Sequence, residues 1–236
     1  MAMTFDVSTG LLSSAANPSF THPSTASAPA AVVVTAVKNL TSSTNLTDIS
    51  AITYGGVSLL KKSVAVDSAG ELGVAEIWTL TNTGGAIPTG SQTVAVTKAT
   101  TTAIQYCSIT VAASTGNITI FSTLRGAENQ NSSACELTAT KGGQLGLTIG
   151  GAFSGVGATN ESTFNVNVTR VLDRDFGAQC GFFGRESSPS SASLTFGWRQ
   201  TADDWALVAV VLQEEAGGGA PAALLQPFSF GLMGCQ

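Results

Sequence analysis

The chain has 236 residues and a formal charge of −5, and only 11% of its residues are charged. Fifteen acidic residues against ten scattered basic ones argue against a phosphate-backbone partner, because nucleic-acid binders gather Lys and Arg on one face. The length suits a single large all-β domain, and a surface dominated by Gly, Ala, Ser and Thr suits close protein contacts or hydroxyl-rich ligands.

Residues 1–29 are rich in Ser, Ala, Thr and Pro, with an isolated Thr4-Phe5-Asp6-Val7 and a candidate short strand at Phe20. They are expected to form an extended arm that drapes over the domain or a neighbour. The opening stretch shows neither the basic nor the apolar region of a secretory signal, so export by that route is not expected. The longest apolar run, residues 205–212, has strand length and is too short to span a bilayer, and no membrane partner is expected.

A β-sandwich is predicted over residues 30–213. Residues 31–37 form a continuous apolar run, the signature of a strand buried on both faces. A polar loop follows at 39–48. Residues 52–97 read as one sheet of short strands, with a tight hairpin at Tyr54-Gly55-Gly56-Val57, a strand around Trp78, a turn at Asn82, Gly84, Gly85 and Pro88, and a half-buried strand carrying Val94 and Val96. Further strands are expected at 109–114, 118–124, 143–150, 193–199 and 205–213.

Residues 163–171 alternate most cleanly. Phe164, Val166 and Val168 fall on one parity, and Thr163, Asn165, Asn167 and Thr169 on the other, so a single strand with one wet face is predicted. That polar row reads first as a solvated face and second as a platform for a sugar or a neighbouring subunit. Residues 214–236 form a Gly-rich linker and an apolar tail that either folds back over an open sheet edge or reaches a neighbour. Leu224, Leu225, Phe228, Phe230 and Leu232 are its candidate assembly contacts.

The residues give little support to catalysis. His22 is the only histidine and lies in the Ser-rich arm; no GxSxG elbow accompanies any serine. Asp173 with Asp175, and Asp203 with Asp204, could form carboxylate pairs, but neighbouring arginines make surface ion pairs at turns and strand ends the better reading. Asp67 and Glu71 are too few to define a calcium site. The cysteines at 107, 135, 180 and 235 lack zinc-like spacing, and parity turns Cys107 and Cys135 inward. The six Asn-x-Ser/Thr triplets are expected to be unmodified. No enzyme activity, metal or cofactor is therefore expected. Parity places Trp78 and Trp198 in the core and leaves Trp205 open, so Trp205, Asn165 and Asn167 are the candidate ligand-facing residues.

The hairpin Tyr54-Gly55-Gly56-Val57, the strand Gly73-Val74-Ala75-Glu76-Ile77-Trp78 and the strand Pro88-Thr89-Gly90-Ser91-Gln92-Thr93-Val94 together resemble a pattern of tailed-bacteriophage structural proteins. The resemblance covers about residues 50–111, and a closing strand begun by Trp205 fits it. It implies an antiparallel, jelly-roll-like sandwich in a non-enzymatic virion subunit, as capsid decoration, fibre or minor tail protein, assembled in the host cytoplasm. The partners so implied are other virion proteins and further copies of the chain in a homo-oligomer. A carbohydrate-binding sandwich that attaches to a host-surface glycan is the alternative.

Overall fold

The computed structural model describes residues 3–39, 48–67, 73–113, 116–155, 161–175 and 180–215, with the backbone alone at 128–131, 161–163, 173–175 and 180. In chain order the strands are β1 (Met3–Ser13), β2 (Ser19–Pro23), β3 (Pro29–Asn39), β4 (Ile49–Tyr54), β5 (Val57–Ser58), β6 (Leu60–Asp67), β7 (Gly73–Thr81) and β8 (Ser91–Lys98). They continue with β9 (Ile104–Ala113), β10 (Ile118–Ala139), β11 (Gly146–Ser154), β12 (Glu161–Phe164), β13 (Val168–Asp175), β14 (Cys180–Glu186) and β15 (Leu194–Glu214). Among the described residues the helical content is one 3-10 turn at Asn82–Gly84.

The all-β, antiparallel, sandwich-like fold expected from the sequence is present, built from three sheets. One has the strand order β1-β9-β3-β7-β6, a second β10-β15-β11-β14-β13 with β12 added beside β15, and a third β2-β8-β4-β5. The first sheet is the middle layer. Its central strand β3 sends Ala31, Val33 and Val37 into a cluster with Ile149, Phe153 and Val208 of the second sheet. From its other face Val32, Val34 and Ala36 join Ile52, Tyr54 and Val94 of the third. The run at 31–37, apolar but for the buried Thr35, is thus explained by packing on both sides, each buried valine contributing about 1.5 kcal/mol or more.

The second sheet is also buried twice. In β15, Ala206, Val208, Val210 and Leu212 face the middle layer, while Leu207, Ala209 and Val211 face an outer cluster with Phe182, Phe196 and Trp198. Phe196 and Trp198 lie on β15 itself, so the β10–β15 ribbon bends to pack one part of its length against another. Register irregularities between Glu128 and Ser132 and between Ser132 and Ala134 mark the bend in β10.

Several expectations are corrected. Residues 52–97 divide between two layers: β4, β5 and β8 lie in the third sheet, β6 and β7 in the first. The hairpin itself is present, with Tyr54 paired to Val57 and both Gly55 (φ 54°) and Gly56 (φ 83°) in the left-handed region. It is short because Leu59, 4% exposed, turns into the core directly after β5 and carries the chain to the next sheet.

Residues 163–171 are two strands. A turn closed by the Val168 N–H donating to the Asn165 carbonyl (3.0 Å) separates β12 from β13, with Asn167 at φ 68° and Val166 83% exposed. Asparagine tolerates the left-handed conformation that such a turn demands, and this overrides the alternation. The segments at 193–199 and 205–213 are one strand, so Asp203 and Asp204 lie inside β15 and do not precede it. Residues 3–13 and 19–23 of the expected arm run as paired strands along the domain's own sheets, β1 against β9 and β2 against β8.

Candidate functional site

The sequence discounts His22, yet the fold buries it completely where β1, β2 and β9 meet. Its Nε2 lies 3.0 Å from Thr110 Oγ1, and that hydroxyl donates to Asp6 Oδ2 at 2.9 Å. Because the hydroxyl proton is committed to the carboxylate, Nε2 must be the ring's donor, which leaves Nδ1 as a buried lone pair without a hydrogen-bond partner. The ring also stands edge-on to Tyr54, with centroids 5.9 Å apart.

Asp6 gathers further donors. Ser24 Oγ donates at 2.8 Å, and the Thr25 N–H and hydroxyl donate at 3.1 and 2.5 Å. Burial by itself would raise the Asp6 pKa, but the hydrogen bonds from Thr25, Ser24 and Thr110 outweigh it and hold the carboxyl at about 2. Burial pushes His22 down to about 4, with the Asp6 charge pulling the other way. The result is an ionised carboxylate linked through a hydroxyl to a neutral imidazole. That chain ties the edge of the middle layer to the third sheet.

Two other polar clusters work in the same way. Lys141 and Glu186, 0% and 1% exposed, form a buried ion pair at 2.5 Å. Ser190 and the Thr148 N–H complete the carboxylate's bonds, at 2.7 and 3.1 Å. In the middle layer Lys38 meets Asp48 at 2.9 Å, and Lys61 meets the buried Glu76 at 3.0 Å. Trp78 Nε1 donates to the same Glu76 carboxylate at 3.2 Å, and Lys61 lies 4.8 Å from the centre of the Trp78 ring. Burial raises the Glu76 pKa despite Lys61. A cavity of about 10 Å³, lined by Lys38, Asp48 and Glu76 among others, has room for one water.

The candidate ligand-facing residues are not brought together. Asn165 and Asn167 line a shallow recess of about 450 Å³ with Glu136, Val166, Thr195 and Arg199. Asn165 Nδ2 donates to the Thr195 carbonyl at 3.3 Å, and Arg199 pairs with Glu136 at 3.0 Å. Trp205 does not line that recess: it is 6% exposed in the outer cluster, and its Nε1 is without a hydrogen-bond partner.

Trp78 and Trp198 are core residues, 5% and 1% exposed, as parity requires. Cys107 and Cys135 are buried, and burial pushes the Cys107 thiol up to about 12. Asp204 is 7% exposed, and Asp203 accepts from its N–H at 2.8 Å. The side chains of Asp173 and Asp175, residue Glu71 and the tail residues Leu224, Leu225, Phe228, Phe230 and Leu232 lie outside the described residues. Among the described residues no cluster of His, Cys, Asp and Glu has metal-binding geometry, and no helix is long and apolar enough to cross a membrane.

What the sequence missed is the pairing of His22 with positions 6 and 110. A signal was present in the alternation of Ser19-Phe20-Thr21-His22-Pro23, which puts Phe20 and His22 on one face; both are covered in the structure. The partners at 6 and 110 come from strand register, which a local pattern does not carry.

No protein-family model matches the chain, and neither a curated protein nor a solved structure matches it.

Proposed function

We propose that this protein is a non-enzymatic structural subunit of a phage virion, a capsid-surface decoration or tail protein that works through contacts between subunits. The observation that carries the reading is the commitment of the interior charged groups to locks between strands. Asp6–Thr110–His22, Lys38–Asp48, Lys61–Glu76 and Lys141–Glu186 each join different parts of the chain. A body fixed in this way presents a constant outer shape, which is what a repeating assembly asks of its subunit. The resemblance of the hairpin and the two following strands to tailed-phage proteins gives the reading its biological setting.

A second consideration is the exit of the C-terminal segment. Glu215 is exposed, and its N–H donates to the Asn117 carbonyl at 2.8 Å beside the start of β10, so the described chain ends at a surface point. The test is the mass in solution by light scattering, full length and truncated after Ala216. A defined oligomer that falls to monomer on truncation supports the assembly role. A monomer in both forms overturns it.

The recess at Asn165 and Asn167 favours the second reading, a carbohydrate-binding sandwich for host attachment. Its amide, hydroxyl and guanidinium groups match a hydroxyl-rich ligand, and a glycan array tests it directly.

A further inference from the structure

The basic side chains of this acidic protein are mostly taken up internally. Lys38, Lys61, Lys141 and Arg199 are in ion pairs. Lys98 donates to the carbonyls of Thr102 and Ser13, and Arg185 lies over the Phe5 ring at 4.0 Å while donating to the carbonyls of Glu186 and Ser187. Arg170 lies 6.0 Å from the centre of the Phe164 ring. Among the described basic side chains, Lys62 and Arg125 alone have no ion pair, hydrogen bond or ring contact. They come from different sheets and line the same recess.

That recess, about 500 Å³, runs between β6 and β10 and is lined by Lys61, Lys62, Ser63, Val64, Thr123 and Arg125. A second hollow of about 370 Å³ continues it along the same strands past Val66 and Ala127, with Val64 and Arg125 shared by both. Among the described residues no carboxylate lines either. Among the described residues the two strands are the last in their sheets, β6 pairing with β7 and β10 with β15, and their Cα atoms approach within 8 Å. Each therefore offers unpaired backbone donors and acceptors along the seam. Lys62 is the extra residue of a bulge between Lys61 and Ser63, which bends the edge and interrupts its flat pairing surface.

We infer that the β6–β10 seam binds an extended acidic segment of a different protein chain. The elongated shape and the two exposed edges fit a strand-like peptide, whose main chain would bond to an edge while alternate side chains point toward Lys62 and Arg125. A glycan is a poorer match because no aromatic ring among the described residues lines the seam. Among the described carboxylates Asp6, Asp48, Glu76, Glu136 and Glu186 are engaged within their own chain, so a second copy could not bring these to the seam. The inference rests on the assembly reading only in choosing a protein as ligand, and its test needs no oligomer.

The test is calorimetric titration of the full chain with an acetylated, amidated peptide of four Thr-Glu repeats, with four Thr-Gln repeats as control. Binding of the acidic peptide alone is expected, weakened about tenfold or more by Lys62→Glu with Arg125→Glu, and by raising salt from about 50 to 500 mM. The milder pair Lys62→Gln with Arg125→Gln should give an intermediate loss at an unchanged melting temperature. The inference is overturned if the acidic peptide does not bind, if the control binds equally, or if both variant pairs bind like the parent. It is also overturned if an alginate oligosaccharide binds in place of the peptide. A failed titration beside a tail-dependent oligomer would sink the seam while leaving the assembly role intact.

Discussion

The pair Lys141–Glu186 and the chain Asp6–Thr110–His22 solve one problem in two ways. Both satisfy polar groups where the fold excludes water, and both join segments distant in sequence. The first does so with two opposite charges, each almost fully buried. The second sets one charge at a partly exposed carboxylate and keeps the buried ring neutral. Paired buried charges fail badly if one member is lost. A neutral ring tolerates its setting only while it stays unprotonated.

The largest expected effect comes from breaking the first lock on one side. Lys141→Met should leave Glu186 buried without its counter-charge and cost about 3–5 kcal/mol, read as a drop in the denaturant midpoint. Lys141→Met with Glu186→Leu should recover much of that loss; a double variant no better than the single would show that the pair's worth lies in packing and not in charge.

Acid acts on the second lock next. The folded pKa of His22, about 4, lies below its ordinary 6.5, so its stabilising contribution is complete above pH 6.5 and is lost as the pH falls toward 4. Asp6, held at about 2, adds a second loss below its ordinary 3.8. His22→Gln should flatten the decline in melting temperature between pH 6.5 and 4 and leave the lower step in place. An unchanged profile would refute the buried neutral ring.

A smaller change is expected at the hairpin. Gly55 has φ 54°, and an added Cβ would meet the Gln92 side chain at 2.6 Å and Pro88 at 3.0 Å, so Gly55→Ala should destabilise by about 1–2 kcal/mol through backbone strain and crowding. The smallest effect belongs to Trp205→Phe. The indole N–H has no partner to lose, so the cost should stay near that of a modest volume change, about 1 kcal/mol. A loss as large as that of a buried hydrogen-bonded indole would mean that Nε1 has a partner.

The same two regions show how much the sequence disclosed. Strand positions whose burial is set by local pattern were legible: the doubly buried β3, the Gly55-Gly56 hairpin, the alternation of Val94 and Val96, and the inward Trp78, Trp198 and Cys107. What escaped depends on pairing at long range. The polar residues 200–204 look like a turn, yet they lie within β15, where pairing with β10 resumes on either side of the bend. His22 looks unanchored because its partners lie on β1 and β9. The Asn165–Val168 turn erred in the opposite direction, since a period-two pattern ran unbroken across a chain reversal.

The pairing of β1 with β9 matches Met3 to Ala113 and Ser13 to Ile104. During synthesis, which adds about 5–20 residues each second, β1 leaves the ribosome seconds before β9, its ladder partner among the described residues, exists. Its Asp6 must likewise wait for Thr110. The edge of the middle layer is thus a closing step in time as well as in space, and until it is taken the outer edge of β9 stands open on a half-made sheet. Such topology slows folding by placing the reward for ordering β1 at the far end of a long loop.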